Sequence, residues 1–115
     1  MIKIGLIGGV GPESTIEYYR LIIKRFQERL NTKDYPEIII NSINMTEMLG
    51  YVFNNQLDRL VEFLVDRINV LEKSGVDFAA IASNTPHIVF ERLKEKVSVP
   101  LISIVEETCK EIVNI

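Results

Sequence analysis

The sequence contains no tryptophan and only one cysteine and one histidine among 115 residues. With Cys109 alone, no internal disulfide and no cysteine-based zinc centre can form. His87 adds one further soft ligand, too few for a His/Cys metal site, so no metal is expected. An excess of positive charge is also missing. Thirteen Lys and Arg against 16 Asp and Glu give a formal net charge of -3. That balance lacks the basic footprint of a nucleic-acid binder, and no nucleic-acid partner is expected. No apolar run is long enough to cross a bilayer, so no membrane partner is expected either. The opening stretch Met1 to Ile7 is too short for a signal peptide and runs into glycines rather than a cleavage site. A reducing, cytoplasmic setting is the expectation. Low-complexity tracts, linkers and internal repeats are absent.

What is present is a core-forming pattern. Hydrophobic residues make up 47% of the chain, enough for a proper core in one domain of this length. Ile2 to Ile7 is a short β-branched run closed by Gly8-Gly9 and predicts a buried strand. Pro12 and Glu13 suit a helix start, and Ile16, Tyr19, Leu21, Ile22, Ile23 and Phe26 give that helix an apolar stripe as far as Leu30. After a polar turn from Asn31 to Pro36, Glu37 to Ser42 predicts a second strand, and Asn41 to Glu47 a polar loop. Leu57, Leu60, Val61, Leu64, Val65, Ile68 and Leu71 recur at helical intervals, ended by Ser74-Gly75. Val76 to Ala82 predicts a strand buried on both faces. Asn84 to Lys96 predicts a helix with Ile88, Val89 and Leu93 inward. Val97 to Ile102 predicts a strand at an edge or with its start at Pro100. Ser103 to Ile115 predicts a last helix. Strands alternating with helices imply an α/β, three-layer, doubly wound sheet of about four parallel strands. The last helix ends without a Gly or Pro stop signal, so a larger protein is expected to continue beyond Ile115.

In such sheets ligands bind beyond the carboxyl ends of the strands. Three loops qualify: Gly8 to Pro12, Asn41 to Met48, and Ser83 to His87. The first has glycines that let backbone N–H groups approach an anion, but lacks the third glycine of a dinucleotide fingerprint and the lysine of a P-loop. The third places Ser83, Asn84 and Thr85 between an apolar strand and a helix. There they serve as helix caps, as carboxylate donors, or as both.

Taken together, these segments resemble the aspartate/glutamate racemase family of cofactor-independent amino-acid racemases. The resemblance rests on Ile4-Gly5-Leu6-Ile7-Gly8-Gly9-Val10-Gly11-Pro12, on Gly75-Val76-Asp77, on Asn84-Thr85-Pro86-His87, and on Val99-Pro100-Leu101-Ile102-Ser103-Ile104 with Glu106-Glu107. It implies a pseudo-symmetric, two-lobed enzyme of which this chain is one lobe. Each lobe supplies a strand-end cysteine, one thiolate removing the α-proton and the opposite thiol returning a proton. No pyridoxal phosphate or metal is required. By this resemblance Ser83 occupies the catalytic cysteine position, and Val10, Asn44, Met48, Asn84 and Thr85 are the candidate substrate contacts. The expected partners are a small amino acid or other carboxylate, a second lobe, and further copies of the chain.

Three departures from the family pattern shape the functional expectation. Ser83 stands where the family keeps cysteine, and a hydroxyl is a far poorer base than a thiolate. His87 is one helical turn further on and is expected to cap or pack locally. Met48 falls at a position where members acting on acidic amino acids carry an arginine, and a thioether cannot grip a carboxylate bidentately. The second lobe and its cysteine are missing, and Cys109, in the last predicted helix, is expected to be a small packing residue. The isolated chain is therefore expected to be inactive or impaired. A non-catalytic amino-acid-binding module, or a divergent isomerase or lyase on the same scaffold, remains open as an alternative.

Overall fold

A computed structural model describes residues 2–9, 11–82 and 89–102. In chain order the elements are β1 (Lys3–Gly8), α1 (Pro12–Leu30), β2 (Glu37–Ser42), α2 (Met45–Phe53), α3 (Leu57–Lys73), β3 (Phe78–Ile81), α4 (Phe90–Lys96) and β4 (Leu101–Ile102). The expected helix from Ser103 to Ile115, with Cys109, lies outside the described residues. So does the expected first turn of the helix from Asn84, including Ile88.

The described strands form one parallel sheet in the order β2-β1-β3-β4. Its pleat sends alternate side chains of β1 to opposite faces. Ile4 and Leu6 pack with Ile22 and Phe26 of α1 and with Phe78 and Ala80. Ile7 turns the other way, into a larger cluster with Leu60, Leu64, Ile68 and Leu71 of α3 and Leu93 of α4. Among the described residues the result is the expected three layers, with α1 on one face and α2, α3 and α4 on the other. Gly5 faces α3, and a side chain there would press on Leu71 and Val76 at 3.2 Å. Each large side chain fully buried in these clusters contributes about 1.5–3 kcal/mol through removal from water.

Polar ties fix how the elements sit. The Lys3 N–H donates to the Asp77 carboxylate at 2.7 Å, and the Asp77 N–H donates back to the Lys3 carbonyl at 2.7 Å. The Gly75-Val76-Asp77 turn thereby pins the start of β3 to that of β1. Asn41 donates to the Arg67 carbonyl at 3.0 Å, anchoring α3 on β2.

Three expectations change. The segment read as a loop after β2 becomes α2 from Met45 onward. Asn44 starts it, and Glu47 follows three residues later, before Met48, Leu49 and Val52. That is a helix-start signature outweighing the polar composition of the stretch. The predicted strand from Val97 shrinks to Leu101–Ile102. Val97 instead closes α4, its N–H donating to the Leu93 carbonyl at 3.1 Å, and Pro100 has no N–H to offer a ladder. β4 stands at the edge of the described sheet and starts just after Pro100, in keeping with the positional meaning of proline. Finally, the stripe predicted on α1 divides. Ile22 and Phe26 are buried, whereas Ile16 and Tyr19 are 52% and 43% exposed.

Candidate functional site

β1 lies between β2 and β3, and its chain leaves toward α1 on one face of the sheet. From β3 the chain leaves toward α4 on the other face. With α1 and α4 on opposite faces, the carboxyl ends of β1 and β3 form the switch point, the place where open α/β sheets have their ligand crevice.

The β1 wall of that crevice is built from backbone. Gly9 has a φ of +84°, and a Cβ there would lie 2.6 Å from both the Ile43 carbonyl oxygen and Ser42 Oγ. A Cβ on Gly8 would meet Thr15 Cγ2 at 2.7 Å. Only glycine permits this approach of β1's end to both β2's end and α1. The turn is then locked from beneath. Thr15 Oγ1, with its residue only 8% exposed, accepts the Gly9 N–H at 3.0 Å. Its hydroxyl also points at the Gly11 carbonyl at 3.5 Å. The neighbouring strand ends are tied in: Ile43 N–H donates to the Gly8 carbonyl at 2.9 Å, and Ala82 N–H to the Ile7 carbonyl at 3.0 Å. Gly11, at the start of α1, has no side chain to cap the helix.

Thr15, which holds this turn, was not among the sequence-derived candidates. Its signal was present: a hydroxyl at an inward helical position, seven residues before the buried Ile22 and four after Gly11.

The sequence-derived candidates fall into three groups. Ala82 is buried at the end of β3, and Ser83 is the next residue of the chain. Ser83, Asn84, Thr85 and His87, like Val10 of the first loop, lie outside the described residues. Asn44 is at the end of β2 and exposed, but its side-chain oxygen is engaged as the cap of α2, accepting from Thr46 N–H at 3.0 Å and Glu47 N–H at 3.3 Å. Its amide nitrogen is the part left for a ligand. Met48 requires a correction. Expected on a loop as a substrate contact, it sits in α2 with no exposed surface, packed in the core cluster of α3. The helical turn from Asn44 rotates it inward, so it supports α2 rather than lining the crevice.

Beside this crevice, α2 and α3 enclose an open, charged groove of about 320 Å³. Tyr51 donates to Glu47 Oε2 at 3.1 Å there. That bond to a carboxylate, aided by partial desolvation and by the Glu47 charge, raises the Tyr51 pKa above 10.0, while Arg59 and Arg67 pull the other way. Arg67 bonds to Asp66 and stacks on the Phe63 ring, 4.4 Å from its centroid. The Tyr51 and Phe63 rings, with centroids 5.7 Å apart, join α2 to α3 there, and of the three strand-end loops the groove shares only Glu47.

Comparisons with known proteins agree with this fold. The Asp/Glu/hydantoin racemase family model matches residues 7–114. The chain is 36% identical over 112 residues to the broad specificity amino-acid racemase RacX of Bacillus subtilis (strain 168), a match covering 95% of this chain and 48% of that protein. The crystal structure of an aspartate racemase homologue from Pyrococcus horikoshii OT3 is similar with a TM-score of 0.81 at 38% identity, covering 99% of this chain and 50% of that one. A crystal structure of a Yersinia pestis protein is similar with a TM-score of 0.83 at 27% identity, over 90% of this chain and 45% of the other. The chain thus spans about half the length of the curated relative and of both solved structures.

Proposed function

Because this chain belongs to the Asp/Glu/hydantoin racemase family, we propose that it forms one lobe of a two-lobed, cofactor-independent amino-acid racemase, with the crevice between β1 and β3 as its half of the substrate site. One observation carries this reading: the sheet's switch point falls where the family-matching Gly8-Gly9-Val10-Gly11 turn leaves β1 and where Ser83 follows β3. The half-length match to the relatives supports a missing second lobe.

In the proposed reaction the substrate carboxylate binds Asn84, Thr85 and the backbone around Val10, with the Asn44 amide nearby. One strand-end group takes the α-proton and its counterpart in the other lobe returns one to the opposite face. Preorganised donors lower the barrier because they meet the developing charge without rearranging. Ser83 stands in the first proton-transfer position. A serine hydroxyl is not ionised near neutral pH, so general-base catalysis from this lobe is impaired. With Met48 in the core, nothing at that position selects an acidic side chain, which fits a substrate range wider than aspartate and glutamate. The proposed setting is the cytoplasm.

The test is incubation of the purified chain with D- and L-aspartate, glutamate and an apolar amino acid in deuterated water, followed by NMR at Cα. Little or no deuterium incorporation is expected. Rapid incorporation would overturn the impaired-catalysis reading. Ser83 also favours a second reading, a carboxylate-binding module without turnover. Ser83→Cys separates the two when the chain is combined with the carboxyl-terminal half of a relative such as RacX. Racemisation gained on that substitution supports the racemase lobe, and ligand binding without any proton exchange supports the binding module.

A further inference from the structure

The carboxyl end of β2 carries two polar side chains with hydrogen-bonding capacity to spare. Asn44 keeps extended backbone, so the alternation of the strand continues as far as that residue. Ile43 is buried in the α3 cluster, and its neighbours Ser42 and Asn44 are exposed on the other side. Ser42 Oγ stands beside the turn after β1, 2.6 Å from the place a Cβ on Gly9 would take. The bare α-carbon of Gly9 makes the room that this hydroxyl occupies. Among the described residues, the Ser42 hydroxyl has no hydrogen-bond partner. Asn44 Oδ1 is spent on the N–H groups of Thr46 and Glu47, which leaves Nδ2 as a donor. The Gly9 N–H is spent on Thr15. Ser42 Oγ and Asn44 Nδ2 are thus the neutral polar groups that β2 offers a ligand.

The surroundings lack positive charge. The three strand-end loops, residues 8–12, 41–48 and 83–87, contain no lysine and no arginine. Their one formal charge is Glu47, which is bonded to Tyr51 in the groove against α3. The next charged residue after the first loop is Glu13, again an acid. An acidic side chain brought to this place would shed water and meet no opposite charge from this lobe, which is costly. A carboxamide has nearly the same shape and no charge.

Resting on the proposed racemase-lobe reading, we infer that the end of β2 reads the substrate's side chain, and that Ser42 and Asn44 select a carboxamide, as in asparagine or glutamine, over the corresponding acid. The amide oxygen accepts from Asn44 Nδ2, and the amide nitrogen donates to Ser42 Oγ. Each group then meets its complement without an unpaired charge.

Nuclear magnetic resonance titration of the chain with both enantiomers of asparagine, glutamine, aspartate and glutamate tests this. The backbone amides of Gly9, Ser42 and Asn44 should shift with asparagine or glutamine, at an affinity at least about tenfold above that of the matching acid. Ser42→Ala and Asn44→Asp should each remove most of that preference with unchanged circular dichroism. Asn44→Asp is the sharper variant, because an oxygen still caps α2 while the donor is gone. Ser42→Arg, which supplies the missing charge, should turn the preference toward the acids. Equal or tighter binding of aspartate and glutamate by the parent chain would overturn the selection and leave the crevice standing as the substrate site. A preference that survives both Ser42→Ala and Asn44→Asp would overturn it in the same way. An absence of shifts at the strand ends with every amino acid would overturn the crevice as the substrate site, and this inference with it.

Discussion

Replacing Thr15 with valine keeps the shape of the side chain but removes the acceptor used by the Gly9 N–H. The donor is then buried without a partner, a loss of about 1–3 kcal/mol. Urea denaturation of Thr15→Val should show that loss, while Thr15→Ser, which keeps the oxygen, should retain most of the stability. Hydrogen exchange at the Gly9 amide should quicken in the valine variant alone. A second residue-scale consequence concerns pH. The Tyr51 phenol is raised chiefly by donating to the Glu47 carboxylate. A group raised on folding stabilises the fold below its unfolded value and ceases to do so as pH climbs through the folded one. This contribution is therefore full at neutral pH and fades only above about 10. In Glu47→Gln the phenol should titrate closer to its ordinary value in an ultraviolet titration. An unchanged titration would place the cause elsewhere.

At the scale of elements, α2 is the instructive case. Asn44→Ala deletes the oxygen that caps both the Thr46 and Glu47 N–H groups. It should cost about 1 kcal/mol, measured by denaturation, and Asn44→Asp should be nearly neutral. The first three strands and α3 were legible because their apolar patterns were clear and bounded by turn residues. Leu60, Leu64, Ile68 and Leu71 form the buried face that their spacing predicts. In α2 the signals competed. Polar residues from Asn41 to Glu47 argued for a loop, while the Asn44-to-Glu47 spacing argued for a helix start. α1 failed differently, since a pattern of apolar residues reports that a face is covered but not by what. Ile16 and Tyr19 obey the same spacing as Ile22 and Phe26 yet face away from the sheet. The turn after β1 was legible as a site, but the hydroxyl holding it was not, because Ser14-Thr15 also reads as ordinary helix-start chemistry.

For the molecule as a whole, the order β2-β1-β3-β4 matters more than any single element. It places the larger cluster, with Met48 inside it, on the α3 side of the sheet, and the proposed site at the seam between the two directions of winding. A charge introduced into that cluster should weaken the entire fold rather than one helix. Met48→Arg should lose about 3 kcal/mol or more, with one cooperative transition shifted in thermal unfolding, and Met48→Leu should lose little. Tolerance of the arginine would show that position 48 reaches solvent. Among the described residues, no helix is long and apolar enough to cross a membrane.

The glycine turn after β1 also bears on how such a protein changes over generations. At Gly8 and Gly9 a single added methyl group collides with neighbouring atoms, so substitutions there are purged whatever the protein's task. On the proposed reading, the fixed wall and the chemistry come from different strands. A lineage of that kind can exchange the atom at position 83, and with it gain, lose or regain turnover, while the turn after β1 stays as it is.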